Sequence, residues 1–201
     1  MIVSTPEISD AQGHAAEMYA ADMSEDAMVF AHTRAMAVNP EAHAAFEDLV
    51  HAIVPSIGVR IYEAATLGAA RAIGSPHCLL AHGRKSLRAG VATEDGLRGF
   101  ASGDDTGFTD AEQVVIRFAA RLSTAPDAMT DADTRELREA GFSDRQIVDI
   151  ALAAAARNYL SRALLALAVP VDTIPDLDPS LADALVAISG TGAGTQPAVD
   201  R

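Results

Sequence analysis

The stretch GSPHCLLAHG, residues 74–83, contains the only cysteine of the chain, Cys78, with a histidine on either side of it. Ser75 and Pro76 are residue types that helices favour at the N-cap and at the first helical position, so we predict a helix over 76–89. Cys78 then lies in the first turn, where unpaired backbone N–H groups and the helix dipole lower a thiol pKa. The stretch therefore predicts both a helix and a reactive thiol.

Two further side chains are expected to face this thiol. His82 follows Cys78 by four residues and so shares its helix face, where it can act as a proton acceptor. Glu63 lies on a predicted helix over 58–73 among mostly apolar neighbours, and a tight hairpin at residues 73–74 would bring it to the same face. A buried carboxylate has a raised pKa, which suits proton transfer near neutrality.

Each of these residues also has an ordinary structural interpretation. A lone cysteine such as Cys78 is often a small apolar residue of a helical core. His82 can be a core histidine, and Glu63 can form a surface ion pair with Arg60 or Arg71. The residues alone leave both interpretations open.

Composition limits the classes of function. The chain has 201 residues, 49% of them hydrophobic and only 4% aromatic, which favours close-packed helices. Its net charge of −13 should repel nucleic acid and anionic membranes. A single cysteine excludes an internal disulfide framework and suggests the cytoplasm. The first residues do not resemble a signal peptide, and Arg157 and Arg162 interrupt the apolar stretch 147–169, which therefore predicts a buried helix.

Helix-start signals are frequent and strand signals are nearly absent, so we predict an all-α fold. Capping boxes are expected at Ser9, Thr109 and Ser143. The predicted helices cover 9–22, 26–37, 40–54, 58–73, 76–89, 109–124, 130–140, 143–168 and a shorter segment at 179–188. We predict one domain over 1–188, with a motif half at 1–98, a flexible acidic linker at 99–108, a C-terminal helical half at 109–188 and a flexible tail at 189–201.

The spacing Glu63-x11-Ser75-x2-Cys78-x3-His82 resembles the E-x11-C-x-x-C-x-x-x-H signature of the alkylhydroperoxidase D (AhpD-like) and carboxymuconolactone decarboxylase family. The string SPHCLLAHGRKSLRAG looks like the helix start of that family, with serine in place of the first cysteine. The segments FTDAEQVVIRFAARL and LREAGFSDRQIVDIALAAAARN resemble its later helices, so the resemblance spans roughly residues 40 to 170.

The resemblance implies an AhpD-like helical domain, with a helix hairpin carrying the motif, that assembles into dimers, trimers or hexamers. It also implies a peroxidase of the peroxiredoxin type with an antioxidant role, in which Cys78 is peroxidatic and Glu63, His77 and His82 relay protons. Ser75 stands where the resolving cysteine is expected. Because a serine hydroxyl cannot condense with a sulfenic acid, an external thiol or redox protein would have to reduce Cys78.

Two further functions fit the same residues. The site can perform acid–base chemistry on a small carboxylate or lactone, with His82 as the acid or base and arginines holding the anion. The chain can also be a non-catalytic oligomeric homologue. No cofactor or metal is predicted: adjacent His77 and Cys78 point in different directions on a helix, and His43 and His51 are interpreted as parts of amphipathic core faces.

Overall fold

A computed structural model describes residues 1–190, which fold into helices and contain no β-strand. This confirms the all-α prediction. The helices are α1 (Gly13–Asp26), α2 (Ala31–Met36), α3 (Pro40–Ile73), α4 (Pro76–Arg88), α5 (Glu94–Ala101), α6 (Asp110–Thr124), α7 (Asp131–Glu139), α8 (Asp144–Ala166) and α9 (Pro179–Ala187). Short 3-10 turns cover Pro126–Ala128 and Ile188–Gly190. The predicted tail 189–201 lies outside the described residues from residue 191 onward.

Helix α3 covers two of the predicted helices, which are separated by a kink and not by a loop. Pro55 lacks an amide hydrogen and its ring clashes with the preceding turn, which bends a helix at this point. Gly58 has φ 76° and ψ 161°, a conformation that only glycine adopts readily. The second half of α3, after Gly58, is the part that carries Glu63.

Local capping signals explain several helix starts. Thr109 and Ser143 each form the predicted capping box, at the starts of α6 and α8. The box predicted at Ser9 is wrong, because α1 begins only at Gly13 and its N-cap residue makes no side-chain hydrogen bond.

A tight turn at Gly74 folds α4 back against α3. Gly74 has φ 74°, and its amide donates a hydrogen bond of 3.0 Å to the Ala70 carbonyl, which ends α3. A side chain here would also lie 2.5 Å from the carbonyl oxygen of Ser189, so the position requires glycine. The hairpin places Glu63 of α3 opposite His82 of α4.

The core forms around α3, which packs against α6 and α8. A Cβ atom at Gly68 would lie 2.5 Å from the Ile116 carbonyl oxygen, so glycine permits the close approach of α6. The main hydrophobic cluster combines side chains from α3, α4, α5, α6, α8 and α9. No helix within residues 1–190 is both long enough and apolar enough to cross a membrane.

The segment 99–108 is anchored to α3. Its first residues complete α5, and its two phenylalanines, Phe100 and Phe108, are buried against each other. Arg71 of α3 forms two hydrogen bonds, of 2.7 and 2.9 Å, to the carboxylate of Asp105. Asp105, an acidic residue of this segment, therefore holds the segment against α3.

Candidate active site

Cys78 lies in the first turn of α4, as its sequence position predicts, and only 2% of it is exposed. Its sulfur accepts a hydrogen bond of 3.1 Å from the Ser161 hydroxyl and one of 3.6 Å from the Arg157 guanidinium, both on α8. Cys78 belongs to the main hydrophobic cluster, but its sulfur contacts a hydroxyl and a positive charge, whereas an inert core cysteine contacts aliphatic groups only.

Arg157 is itself buried, and its second terminal nitrogen donates a hydrogen bond of 3.2 Å to the Tyr62 hydroxyl. Burial alone would lower the pKa of this guanidinium, but the facing Cys78 sulfur and Tyr62 oxygen raise it above its ordinary value. A positive charge is therefore in hydrogen-bond contact with the Cys78 sulfur.

Glu63 and His82 form a buried pair in which the Glu63 Oε2 and His82 Nδ1 atoms are 2.7 Å apart. This contact excludes the simpler interpretation of Glu63 as a surface ion pair. The two arginines considered as partners are engaged elsewhere, Arg60 with Glu112 at 2.7 Å and Arg71 with Asp105.

The protonation of this pair differs from what the sequence predicts. Burial and the charge of Arg157 lower the pKa of His82 to about 4, against the opposing effect of Glu63. Burial alone would raise the pKa of Glu63, but contact with His82 and the nearby charges of Lys85 and Arg157 lower it instead. At neutral pH the pair is therefore a carboxylate that accepts a hydrogen bond from Nδ1 of a neutral imidazole, which leaves Nε2 as a proton acceptor.

A cavity of about 270 Å³ is lined by Cys78, Arg157 and His82, whereas Glu63 and Ser161 are not among its lining residues. One side of the cavity is polar and positively charged and is formed by Tyr62, Cys78, His82, Lys85 and Arg157. The remaining wall is formed mainly by Phe46, Val50, Leu160 and Leu164, together with His32, His43, Glu47, His51 and His77. The cavity combines a small volume, an apolar side and a few convergent polar groups, as expected of a site for a small organic molecule.

Neither Ser75 nor His77 forms a hydrogen bond with the Cys78 sulfur. Ser75 is the N-cap residue of α4 and fully buried, but its hydroxyl makes no hydrogen bond to Cys78 or to any other group within residues 1–190. His77 lines the cavity, yet its Nε2 atom donates to the Pro170 carbonyl at 3.0 Å, and its Nδ1 has no partner among the described residues. The structure thus ties His77 to the chain after α8.

A metal site built from Glu63, His77, Cys78 and His82 does not assemble. Within residues 1–190, the donor atoms of these four side chains do not converge on one point. The geometry of adjacent helix positions explains this result, because His77 turns toward Pro170 while Cys78 faces α8.

The sequence patterns did not assign Arg157, Ser161 or Tyr62 to the site. One signal was available: Arg157 interrupts an apolar helical run, and a buried charge requires a partner. The spacing of Arg157 and Ser161 by four residues also places both on one face of α8. Tyr62 precedes Glu63 and had no distinguishing pattern.

No protein-family model matches the chain, and no curated protein matches it in sequence. Solved structures do match. A peroxidase-related protein from Silicibacter sp. TM1040 has a TM-score of 0.72 and 21% identity, covering 86% of this chain and 92% of its own. A peroxidase-related protein with an alkylhydroperoxidase AhpD core, from Ralstonia eutropha JMP134, has a TM-score of 0.68 and 20% identity, covering 85% and 92%.

The debrominase Bmp8 also matches. A cysteine-to-alanine variant of it in complex with 2,3,4-tribromopyrrole has a TM-score of 0.71 and 19% identity, covering 94% of this chain and 97% of its own. The structural likeness extends over most of each chain, whereas the identities near 20% carry information on the fold only. The arrangement of the helices, the hairpin that bears the Glu and Cys/His motif, and these neighbours together establish that the chain has the AhpD-like fold.

Proposed function

We propose that the chain is a thiol-dependent oxidoreductase that reduces a hydroperoxide, with Cys78 as its single peroxidatic nucleophile. The observation that carries this proposal is the position of the Cys78 sulfur. It accepts hydrogen bonds from Arg157 and Ser161, and it lies on a cavity that Arg157 and His82 also line, with Glu63 hydrogen-bonded to His82. A nucleophile, a cation and an oriented base on one cavity form the constellation that activates a thiol.

In the proposed reaction, His82 Nε2 accepts the proton of the Cys78 thiol, and Glu63 stabilises the resulting imidazolium. The thiolate attacks the distal oxygen of the hydroperoxide, so an S–O bond forms while the O–O bond breaks. The leaving alkoxide takes the proton from His82 and departs as an alcohol. The products are a Cys78 sulfenic acid and ROH, and two electrons have passed from sulfur to the peroxide.

The sulfenic acid must then be reduced from outside. Ser75 occupies the position of the resolving cysteine, and the chain contains no second thiol. One external thiol condenses with the sulfenic acid and releases water, and a second external thiol breaks the mixed disulfide and restores Cys78. A small thiol or a redox protein therefore belongs to the proposed cycle.

The debrominase neighbour favours a second candidate on the same residues. Bmp8 is described as a debrominase, and its cysteine-to-alanine variant holds 2,3,4-tribromopyrrole. Replacing bromine by hydrogen is also a two-electron reduction, and a single cysteine with an external thiol can supply these electrons. The apolar side of the cavity, with Phe46 and Leu160, suits a small halogenated ring.

Single-turnover assays with the purified chain test the proposal. We expect cumene hydroperoxide to convert Cys78 to a sulfenic acid, detected by dimedone adduction and mass spectrometry, and dithiothreitol to sustain turnover. Bromide release from 2,3,4-tribromopyrrole in the presence of the thiol, without peroxide turnover, would favour the second candidate.

Variants in the same assays distinguish a thiol enzyme from an acid–base enzyme and from a non-catalytic homologue. An acid–base enzyme acting on a small carboxylate or lactone would keep its activity in Cys78→Ser and lose it in His82→Ala. A non-catalytic homologue would show a thiol that reacts with neither substrate. The proposal further includes a homo-oligomer, because helix α8 exposes Val148, Leu152 and Tyr159 on one face. It also includes a cytoplasmic location, because a single cysteine suits a reducing compartment.

A further inference from the structure

A second group of chemically active side chains lies where α1 meets α3. His14 comes from α1, while His43 and Glu47 are four residues apart on α3 and therefore share one face. Among the residues that the structure describes, this is the one place where three His, Cys, Asp or Glu donor atoms lie within 4.8 Å of one another.

The three donor atoms form a nearly equilateral triangle. His43 Nδ1 is 3.4 Å from His14 Nε2 and 3.4 Å from Glu47 Oε2, and the third side, between His14 Nε2 and Glu47 Oε2, measures 3.6 Å. A tetrahedral Zn²⁺ ion with bonds of about 2.0–2.1 Å requires donor atoms about 3.3–3.4 Å apart. The triangle thus has nearly the dimensions of one face of such a tetrahedron.

The surroundings support a cation. His14 presents Nε2 to the triangle, and its other nitrogen, Nδ1, lies 3.2 Å from Glu17 Oε2. A carboxylate in this position orients a ligand histidine and fixes its tautomer.

We infer that His14, His43 and Glu47 form a binding site for a divalent transition-metal ion of the Zn²⁺ class. Two imidazoles and one carboxylate are a ligand set typical of sites that keep a fourth position open. His43 and Glu47 also line the cavity that holds Cys78, so the ion lies at the edge of that cavity. Bound there, it joins the N-terminal helix α1 to α3.

Cobalt titration of the chelator-treated protein provides the test. We expect Co²⁺ to bind with one ion per chain, to give the intense visible bands of a low-coordinate site, and to be displaced by Zn²⁺. His14→Ala and Glu47→Gln should each weaken binding at least tenfold. Glu17→Gln, which removes only the orienting carboxylate, should weaken it about tenfold.

Two matched variants control for other metal ligands. His51→Gln removes the next histidine on α3, and Cys78→Ser removes the thiol; both should leave the cobalt spectrum and affinity unchanged. Saturating Zn²⁺ should also raise the thermal midpoint of the wild type but not of His14→Ala. The inference is overturned if the wild-type chain binds no cobalt, or if binding persists in His14→Ala and disappears in Cys78→Ser.

Discussion

The Glu63 carboxylate accepts a hydrogen bond of 2.7 Å from His82 Nδ1, and both side chains are buried between α3 and α4. The contact fixes the imidazole in one tautomer and directs Nε2 away from the carboxylate. The pair therefore has the arrangement of a base and its orienting acid, and Cys78, one helical turn before His82, is the nucleophile that we propose for it.

Removing the charge of Glu63 should slow the reaction of Cys78. In Glu63→Gln the amide oxygen can still accept from His82, but it no longer stabilises an imidazolium. We expect sulfenic acid formation to slow about 100-fold in single-turnover measurements, because positioned acid–base groups contribute at least this much. Asp105→Asn is the matched control, since Asp105 pairs with Arg71 outside the cavity, and its rate should equal that of the wild type.

Lowering the pH should decrease the free energy of unfolding over a pH range that the pKa values of two buried histidines determine. The pKa of His82 is about 4 and that of His32 about 3, both below the ordinary value of 6.5, because burial disfavours the charged imidazole. As the pH falls below 6.5, the unfolded chain binds protons that the folded chain does not, so the free energy of unfolding decreases.

The lowered pKa of Glu63 acts in the same direction, because its contribution is lost as the pH falls below 4.5. Urea midpoints should therefore decrease between pH 7 and pH 4, and the slope should be smaller in His82→Gln. Equal midpoints at pH 7 and pH 5 would contradict the assigned protonation states.

Arg157 should determine how readily Cys78 reacts at neutral pH. Hydrogen bonds to charged groups contribute about 1.5–3 kcal/mol, so Arg157→Met should slow alkylation of the thiol by iodoacetamide about 10–100-fold. Arg162→Met provides a control on the same helix, because Arg162 donates to the Ser123 carbonyl and does not contact the sulfur. An equal loss in both variants would indicate a general disturbance of α8.

Local signals in the sequence predicted the motif and most of the helices, but α5 (Glu94–Ala101) was not among the predicted helices and α1 begins later than predicted. The first-turn position of Cys78 and the shared face of His82 follow from Ser75-Pro76 and from helical periodicity. Arg157 and Ser161 lie about eighty residues later in the chain, so their contacts with the sulfur depend on how α8 packs against α4. Spacing along one helix carries no information about such a contact.

The protonation of Glu63 shows the same limit. An apolar helical neighbourhood correctly indicated burial, which raises a carboxyl pKa. The pKa of Glu63 is lowered instead by His82 and Arg157, which come close to Glu63 only after the hairpin at Gly74 has formed and α8 has packed. Ser75 is a second example. Serine is a residue type that often caps a helix, but the Ser75 side chain makes no capping hydrogen bond in the structure.

Assembly should depend on the exposed apolar face of α8. Val148, Leu152 and Tyr159 are 56%, 41% and 57% exposed at spacings that place them on one side of the helix. Light scattering after size exclusion should show an oligomer for the wild type and a smaller species for Leu152→Asp. Val186→Asp, on the exposed side of α9, is the matched control and should not change the mass. A wild-type monomer would refute the homo-oligomer.

Replacing Ser75 by cysteine should convert the proposed one-cysteine cycle into a two-cysteine cycle. Ser75 and Cys78 are the N-cap and third residues of α4, the positions of a Cys-x-x-Cys pair. The buried Ser75 hydroxyl has no hydrogen-bond partner within the described residues, so the substitution removes no hydrogen bond. After one equivalent of peroxide, mass spectrometry of Ser75→Cys should show a disulfide between the introduced thiol and Cys78, whereas Ser75→Ala should retain a dimedone-reactive sulfenic acid. If Ser75→Cys also accumulates sulfenic acid and forms no disulfide, the first turn of α4 does not present the two side chains to each other, and the assignment of Ser75 to the resolving position is wrong.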